Sequence, residues 1–158
     1  SSPTRTVWGG GYIKPQNHTD TIDYVITQTF GNAIRFGELT VSRGHMGAVS
    51  SSTRGVWGGG SIYPGSSYTL YDTIDYVTLA SIGQAIDFGN LLASKHFTTA
   101  TASNSTRGVW GGSNTDPSTL NVIEFVTIAS TGNSTDFGDL TTLYYNGCGA
   151  SDSHGGLG

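Results

Sequence analysis

The chain has 158 residues, enough for one domain with a sizeable core, yet only 11% are charged against about 25% in an ordinary soluble domain. A net charge of −4, with seven Lys and Arg scattered along the chain, argues against a nucleic-acid partner, because phosphate binding needs clustered cations. No apolar run approaches the roughly 18 residues of a membrane span, and the single Cys148 excludes an internal disulfide or a multi-cysteine zinc site.

Aromatic residues make up 11% of the chain, and Gly, Ser and Thr fill much of the rest. That mixture suits a pleated, half-buried surface, so an all-β protein is expected. No signal-peptide pattern opens the chain. Cys148, with glycine on both sides, is expected to be a small packed residue.

The first predicted strand, Thr4-Arg5-Thr6-Val7-Trp8-Gly9-Gly10, recurs as Thr53-Arg54-Gly55-Val56-Trp57-Gly58-Gly59 and Thr106-Arg107-Gly108-Val109-Trp110-Gly111-Gly112. Each copy reads as a short strand running into a glycine turn. The tryptophans lie 49 and 53 residues apart, a period that points to a stacked or radial β architecture. After a variable stretch comes a second strand: Thr21-Ile22-Asp23-Tyr24-Val25, Thr73-Ile74-Asp75-Tyr76-Val77 and Val122-Ile123-Glu124-Phe125-Val126. It is expected to be covered on both faces. A turn at Gly31, Gly83 and Gly132 leads to a third strand in which Phe-Gly-x-Leu never changes (Phe36 to Leu39, Phe88 to Leu91, Phe137 to Leu140). A glycine inside a strand marks a bulge or a close backbone approach.

The fourth segment, at 42–52, 94–105 and 143–153, is small and polar, with side chains short enough for the crowded innermost strand of a propeller. The fold expected is therefore a set of β-propeller blades, three of four strands each, in units of about 1–52, 53–105 and 106–158 of one repeat domain. The tail at 151–158 reads as a worn fourth copy, suggesting a natural C-terminus; alternatively, 143–153 completes the first blade by strand exchange. Known propellers have about four to eight blades, and three would leave open edges. The ring is thus expected to be completed by a second chain or by a longer parent chain.

Repetition also weighs against chemistry, because a catalytic site needs different residues converging. Asp23, Asp75 and Glu124 are equivalent positions on separate units, not a carboxylate pair at the roughly 5–9 Å of a glycosidase. They are expected to accept hydrogen bonds from neighbouring strands or turns. Arg5, Arg54 and Arg107 are expected to pair with acids such as Asp87 or Asp136; the competing expectation is an anion-binding ring. The tryptophans are expected in the core. No metal-ligand spacing links His18, His45, His96 and His154, so no catalytic residue, metal or cofactor is expected.

The variable stretch remains. From Gly-Gly to the following Ile (Gly10 to Ile22, Gly59 to Ile74, Gly112 to Ile123) it spans 12, 15 and 11 residues, and such variation gathers on one face, often the binding face. Its candidate ligand-binding residues are Tyr12, Lys14, Asn17, Tyr63, Tyr68, Tyr71 and Asn114. Tyrosine with Asn and Ser gives rigid contact area and adaptable hydrogen bonds.

In its period, its Gly-Gly strand ends and its aromatic-rich second strand, the chain resembles a kelch-type propeller. Arg43-Gly44-His45 ahead of Ala48-Val49 is similar to the start of a kelch unit's first strand. It departs from kelch units where Tyr24 is followed by Phe36 rather than by a nearby Trp. The phrases Thr-Arg-Gly-Val-Trp-Gly-Gly and Asp136-Phe137-Gly138-Asp139-Leu140-Thr141 resemble repeats of tail-fibre and other structural proteins of marine phages and cyanophages. That resemblance implies a non-enzymatic virion component, extracellular and surface-exposed, with a structural or host-attachment role. Its implied partners are further copies of the chain or other virion proteins, and host surface glycans. The alternative is a glycan-binding lectin of propeller form.

Overall fold

The computed structural model describes residues 4–14, 17–65, 67–96, 100–115, 117–143 and 146–151, so the expected fourth copy in the tail lies almost wholly outside the described residues. The protein is all-β: among the described residues there is no helix, and twelve strands form three antiparallel sheets. The strands are β1 (Arg5–Ile13), β2 (Asn17–Ile26), β3 (Ile34–Glu38), β4 (Gly47–Ser50), β5 (Arg54–Gly58), β6 (Ser61–Ile62), β7 (Thr69–Thr78), β8 (Ile86–Lys95), β9 (Ala100–Ser103), β10 (Arg107–Asn114), β11 (Thr119–Thr127) and β12 (Thr135–Asp139).

The first sheet runs β1-β2-β3 and the third β9-β10-β11-β12. The second runs β4-β5-β7-β8, with β6 pairing on β7 where β5 leaves off. The sheets thus hold three, five and four strands instead of four each.

The reason lies in turn chemistry. The fourth segment of one repeat pairs forward onto the next repeat's first strand, Val49 opposite Val56 and Ala102 opposite Val109. Ser51 Oγ accepts from the amides of Thr53 and Arg54, and Asn104 Oδ1 from those of Thr106 and Arg107, which fixes a tight hairpin in each case. Closing so short a loop costs far less entropy than pairing back across a whole repeat.

In the first and third units Gly-Gly does not end its strand either, whereas in the second it divides β5 from β6. Gly10 and Gly11 lie at φ 66° and 121°, the register shifts between Gly9 and Gly11, and β1 continues to Ile13. This is a β-bulge, in which positive-φ glycines bend a strand without terminating it. The variable stretch is consequently a long hairpin: Tyr12 lies on β1, Asn17 opens β2, Tyr71 lies on β7 and Asn114 ends β10.

The core sits between the sheets. Ile22, Tyr24, Phe36 and Leu39 of the first pack on Trp57, Val77, Leu79 and Ala85 of the second. Val49, Val56, Ile74, Phe88 and Leu91 of the second pack on Trp110, Val126 and Ile128 of the third. The invariant glycine of Phe-Gly-x-Leu meets both expectations for it. It sits at a register shift in β3 and β8, and the next unit's turn docks onto its strand, Gly83 N donating to Phe36 O at 3.1 Å and Gly132 N to Phe88 O at 2.7 Å. A Cβ at Gly37 would fall 2.1 Å from Gly83 O.

Candidate functional site

Two of the three acids of the second-strand motif, Asp75 and Glu124, accept hydrogen bonds from a neighbouring unit and also form ion pairs. Asp75 takes bonds from Thr40 N at 3.2 Å and Thr40 Oγ1 at 2.6 Å, and from the Arg43 guanidinium at 2.9 Å. Both side chains of that pair are fully buried. Arg43 Nε also donates to Gly59 O at 2.8 Å. At the next joint Glu124 accepts from Leu92 N at 2.8 Å, from Ser134 Oγ and from Lys95 Nζ. Arg43 and Lys95 stand seven residues after Phe36 and Phe88, a regularity in the sequence that could have revealed them.

The repeated arginines do not pair with Asp87 or Asp136. Their guanidinium groups lie over the rings of Tyr24, Tyr76 and Phe125, 5.2, 4.5 and 4.8 Å from the centroids. Arg5 and Arg54 then donate to backbone carbonyls of the next unit, Leu79 O at 2.7 Å and Ile128 O at 2.8 Å. A planar cation stacks well on an aromatic face and still keeps its edge for a carbonyl. Trp57 and Trp110 are core residues, but Trp8 is 54% exposed. Cys148 is exposed, contrary to expectation.

One open groove lies between the first two units. Asn17, His18, Ser42, Ile62, Tyr63 and Tyr71 line it, with Ser42 Oγ donating to His18 O at 2.9 Å. Three of the candidate residues, Asn17, Tyr63 and Tyr71, thus meet there. Tyr12 packs edge-on against His18 at 5.5 Å, and Tyr68 lies between Tyr63 at 4.9 Å and His96 at 4.6 Å. The His96 backbone pairs with that of Asn114, which ties the Tyr63–Tyr68–His96 cluster to the third unit. Lys14 is exposed on the β1–β2 turn and does not line the groove.

Sequence reasoning missed His18, Ser42 and Ile62. His18 and Ser42 come from separate segments of the first unit and Ile62 from the second, and no local spacing connects them. Burial holds the His18 imidazole below its ordinary pKa; burial, then the charge of His18, does the same to His45. Rigid tyrosine faces beside an amide and a hydroxyl can stack on a sugar ring and hydrogen-bond its hydroxyls. Among the described residues, no three His, Cys, Asp or Glu lie where they could hold a metal ion. No protein-family model matches the chain, and no curated protein does.

Proposed function

We propose that this chain is a non-catalytic, kelch-like β-propeller module of a phage virion, displayed outside the cell in a structural or host-attachment role. Its three sheets are propeller blades, and its ring is completed by further blades. The observation that carries the non-catalytic part is the engagement of the buried charges. Arg43, Asp75, Lys95 and Glu124 all lock one blade to the next, in the same way at both joints. A charge that holds a joint in a dry interior is poorly placed to move protons on a substrate. The virion role rests on the likeness of the Trp-Gly-Gly and Asp-Phe-Gly-Asp-Leu-Thr phrases to phage repeats.

Attachment would act through the groove of Asn17, Tyr63 and Tyr71, with host surface glycans as ligand. The groove also favours a second reading, a soluble glycan-binding lectin. The two differ in the number of sites. A repeat lectin needs equivalent sites, whereas in sequence Tyr63 is matched by Lys14 and Asp116 in the other units. A glycan array together with a particle-incorporation assay separates them. Incorporation with at most one glycan site per chain supports the virion module, and several equivalent sites without incorporation support the lectin. Polysaccharide turnover that vanishes on changing one carboxylate refutes both.

A further inference from the structure

We propose that two copies of this chain close head to tail into one six-bladed ring, each donating residues 148–151 as the innermost strand on β1 of the other. The proposal rests on the propeller described above and names the partner, the donated strand and its register. The two joints inside the chain are built from the same contacts, and its two ends carry the unmatched halves of a third.

Tryptophan shows this most directly. A Cβ at Gly9 would lie 2.9 Å from the Trp57 ring, and one at Gly58 would lie 3.1 Å from Trp110, whose Nε1 donates to Gly47 O at 3.2 Å. Each tryptophan therefore lies flat on the glycine of the preceding blade. Trp57 and Trp110 are 4% and 1% exposed, whereas Trp8 is 54% exposed. At the other end, a Cβ at Gly111 would meet nothing nearer than 3.8 Å among the described residues, and the Ala100 carbonyl stands there as the Gly47 carbonyl stands for Trp110.

Phenylalanine shows the same from the opposite end. Phe36 and Phe88 are 2% and 3% exposed under the following blade, and Phe137 is 55% exposed. The turn that covers Phe36 and Phe88 comes from Gly83 and Gly132, so Gly31 of a second copy would cover Phe137. Arg107 is exposed, and its equivalents Arg5 and Arg54 reach Leu79 O and Ile128 O; the matching carbonyl for Arg107 is that of Thr27.

The strand completes the set. β4 lies on β5 and β9 on β10, but among the described residues no strand pairs with the outer edge of β1. Residues 148–151 do not return to β1 of their own chain, as strand exchange within one chain would require. They continue the row of inner strands beside β9: Ser151 Oγ donates to Ser103 O at 2.7 Å, and Gly149 abuts Thr101 so closely that a Cβ would fall 2.5 Å from its carbonyl oxygen. Carrying over the pairing of Gly47–Ser50 with Gly58–Gly55 sets Cys148 opposite Gly9, Gly149 opposite Trp8, Ala150 opposite Val7 and Ser151 opposite Thr6. A surplus at one end that matches a deficit at the other makes a heterologous interface, which forms a ring when the rotation closes; six blades fall within the usual range.

The mass in solution, by light scattering after size exclusion, is expected to be twice the 16.5 kDa of one chain. Oxidising Val7→Cys/Ala150→Cys in a Cys148→Ser background is expected to give a covalent dimer on a non-reducing gel. Trp8→Ala removes an exposed side chain and Gly111→Ala adds a methyl where a single chain has room, so each should leave the chain folded, with native emission from Trp57. Each should weaken the dimer roughly thirty-fold or more, as loss of an interface hot spot does. A wild-type monomer at every concentration tested overturns the proposal and assigns the open edges to further blades of a longer polypeptide. Filaments, trimers or a cross-link within one chain overturn it as well. None of these outcomes bears on the glycan and particle assays, so the two proposals fail separately.

Discussion

Replacing Arg43 with methionine keeps the aliphatic stem and removes every contact of a fully buried guanidinium. Lost are the ion pair to Asp75 at 2.9 Å and the bonds to Gly59 O at 2.8 Å, Val41 O at 3.3 Å and Thr73 O at 3.4 Å. Thr40 N and Oγ1 still donate to Asp75, but its charge stays in a dry interior with no cation. Breaking a buried pair from one side costs about 3–5 kcal/mol. That is a large part of the roughly 5–15 kcal/mol by which a domain is stable. With a urea m-value of about 2 kcal/mol per molar, a loss of about 4 kcal/mol lowers the midpoint by about 2 M. The assay is urea unfolding at fixed protein concentration, followed by the emission of Trp57 in the adjoining core. Replacing both partners, Arg43→Met/Asp75→Leu, removes the stranded charge and should recover most of the loss. A single variant within about 1 kcal/mol of the parent, or a double variant no better than the single, refutes the joint as a source of stability.

Gly37→Ala drives a methyl into Gly83 O, so β3 must retreat from the next unit. A loss of about 2 kcal/mol is expected, read as a melting temperature lower by roughly 4–8 °C. Burial lowers the pKa of His18 and His45 in the folded state, so the unfolded chain binds more protons below about pH 6.5. Stability is therefore full above that pH and falls as the pH drops; urea midpoints between pH 7.5 and 5.5 should decline, and His18→Asn should flatten the slope. Tyr63→Ala should abolish a groove-dependent glycan or particle signal while shifting stability by no more than about 1 kcal/mol, since Tyr63 is 39% exposed.

Much of the local structure could be read from the chain before folding was considered. Three near-identical phrases, an apolar pattern of period two and an invariant glycine between Phe36 and Leu39 are short-range facts, and they yield strands, units and a close backbone approach. The candidate site was legible as a list of tyrosines and asparagines, but not as a groove. Asn17, Tyr63 and Tyr71 meet only because the first two sheets pack face to face. The partners of the charged residues were hidden for the same reason. Asp75 could have been matched with any of several cations, and Arg5 with several acids, until packing set Arg43 beside the one and a tyrosine ring beneath the other.

The strand count turned on a competition that composition does not display. Residues 47–50 suit an inner strand in either direction, and a tight hairpin at Ser51 decides for the next sheet. Turn chemistry and side-chain alternation act over a few residues and are written in order along the chain. Which sheet covers which, and which edge stays open, depends on surfaces brought together from some fifty residues apart.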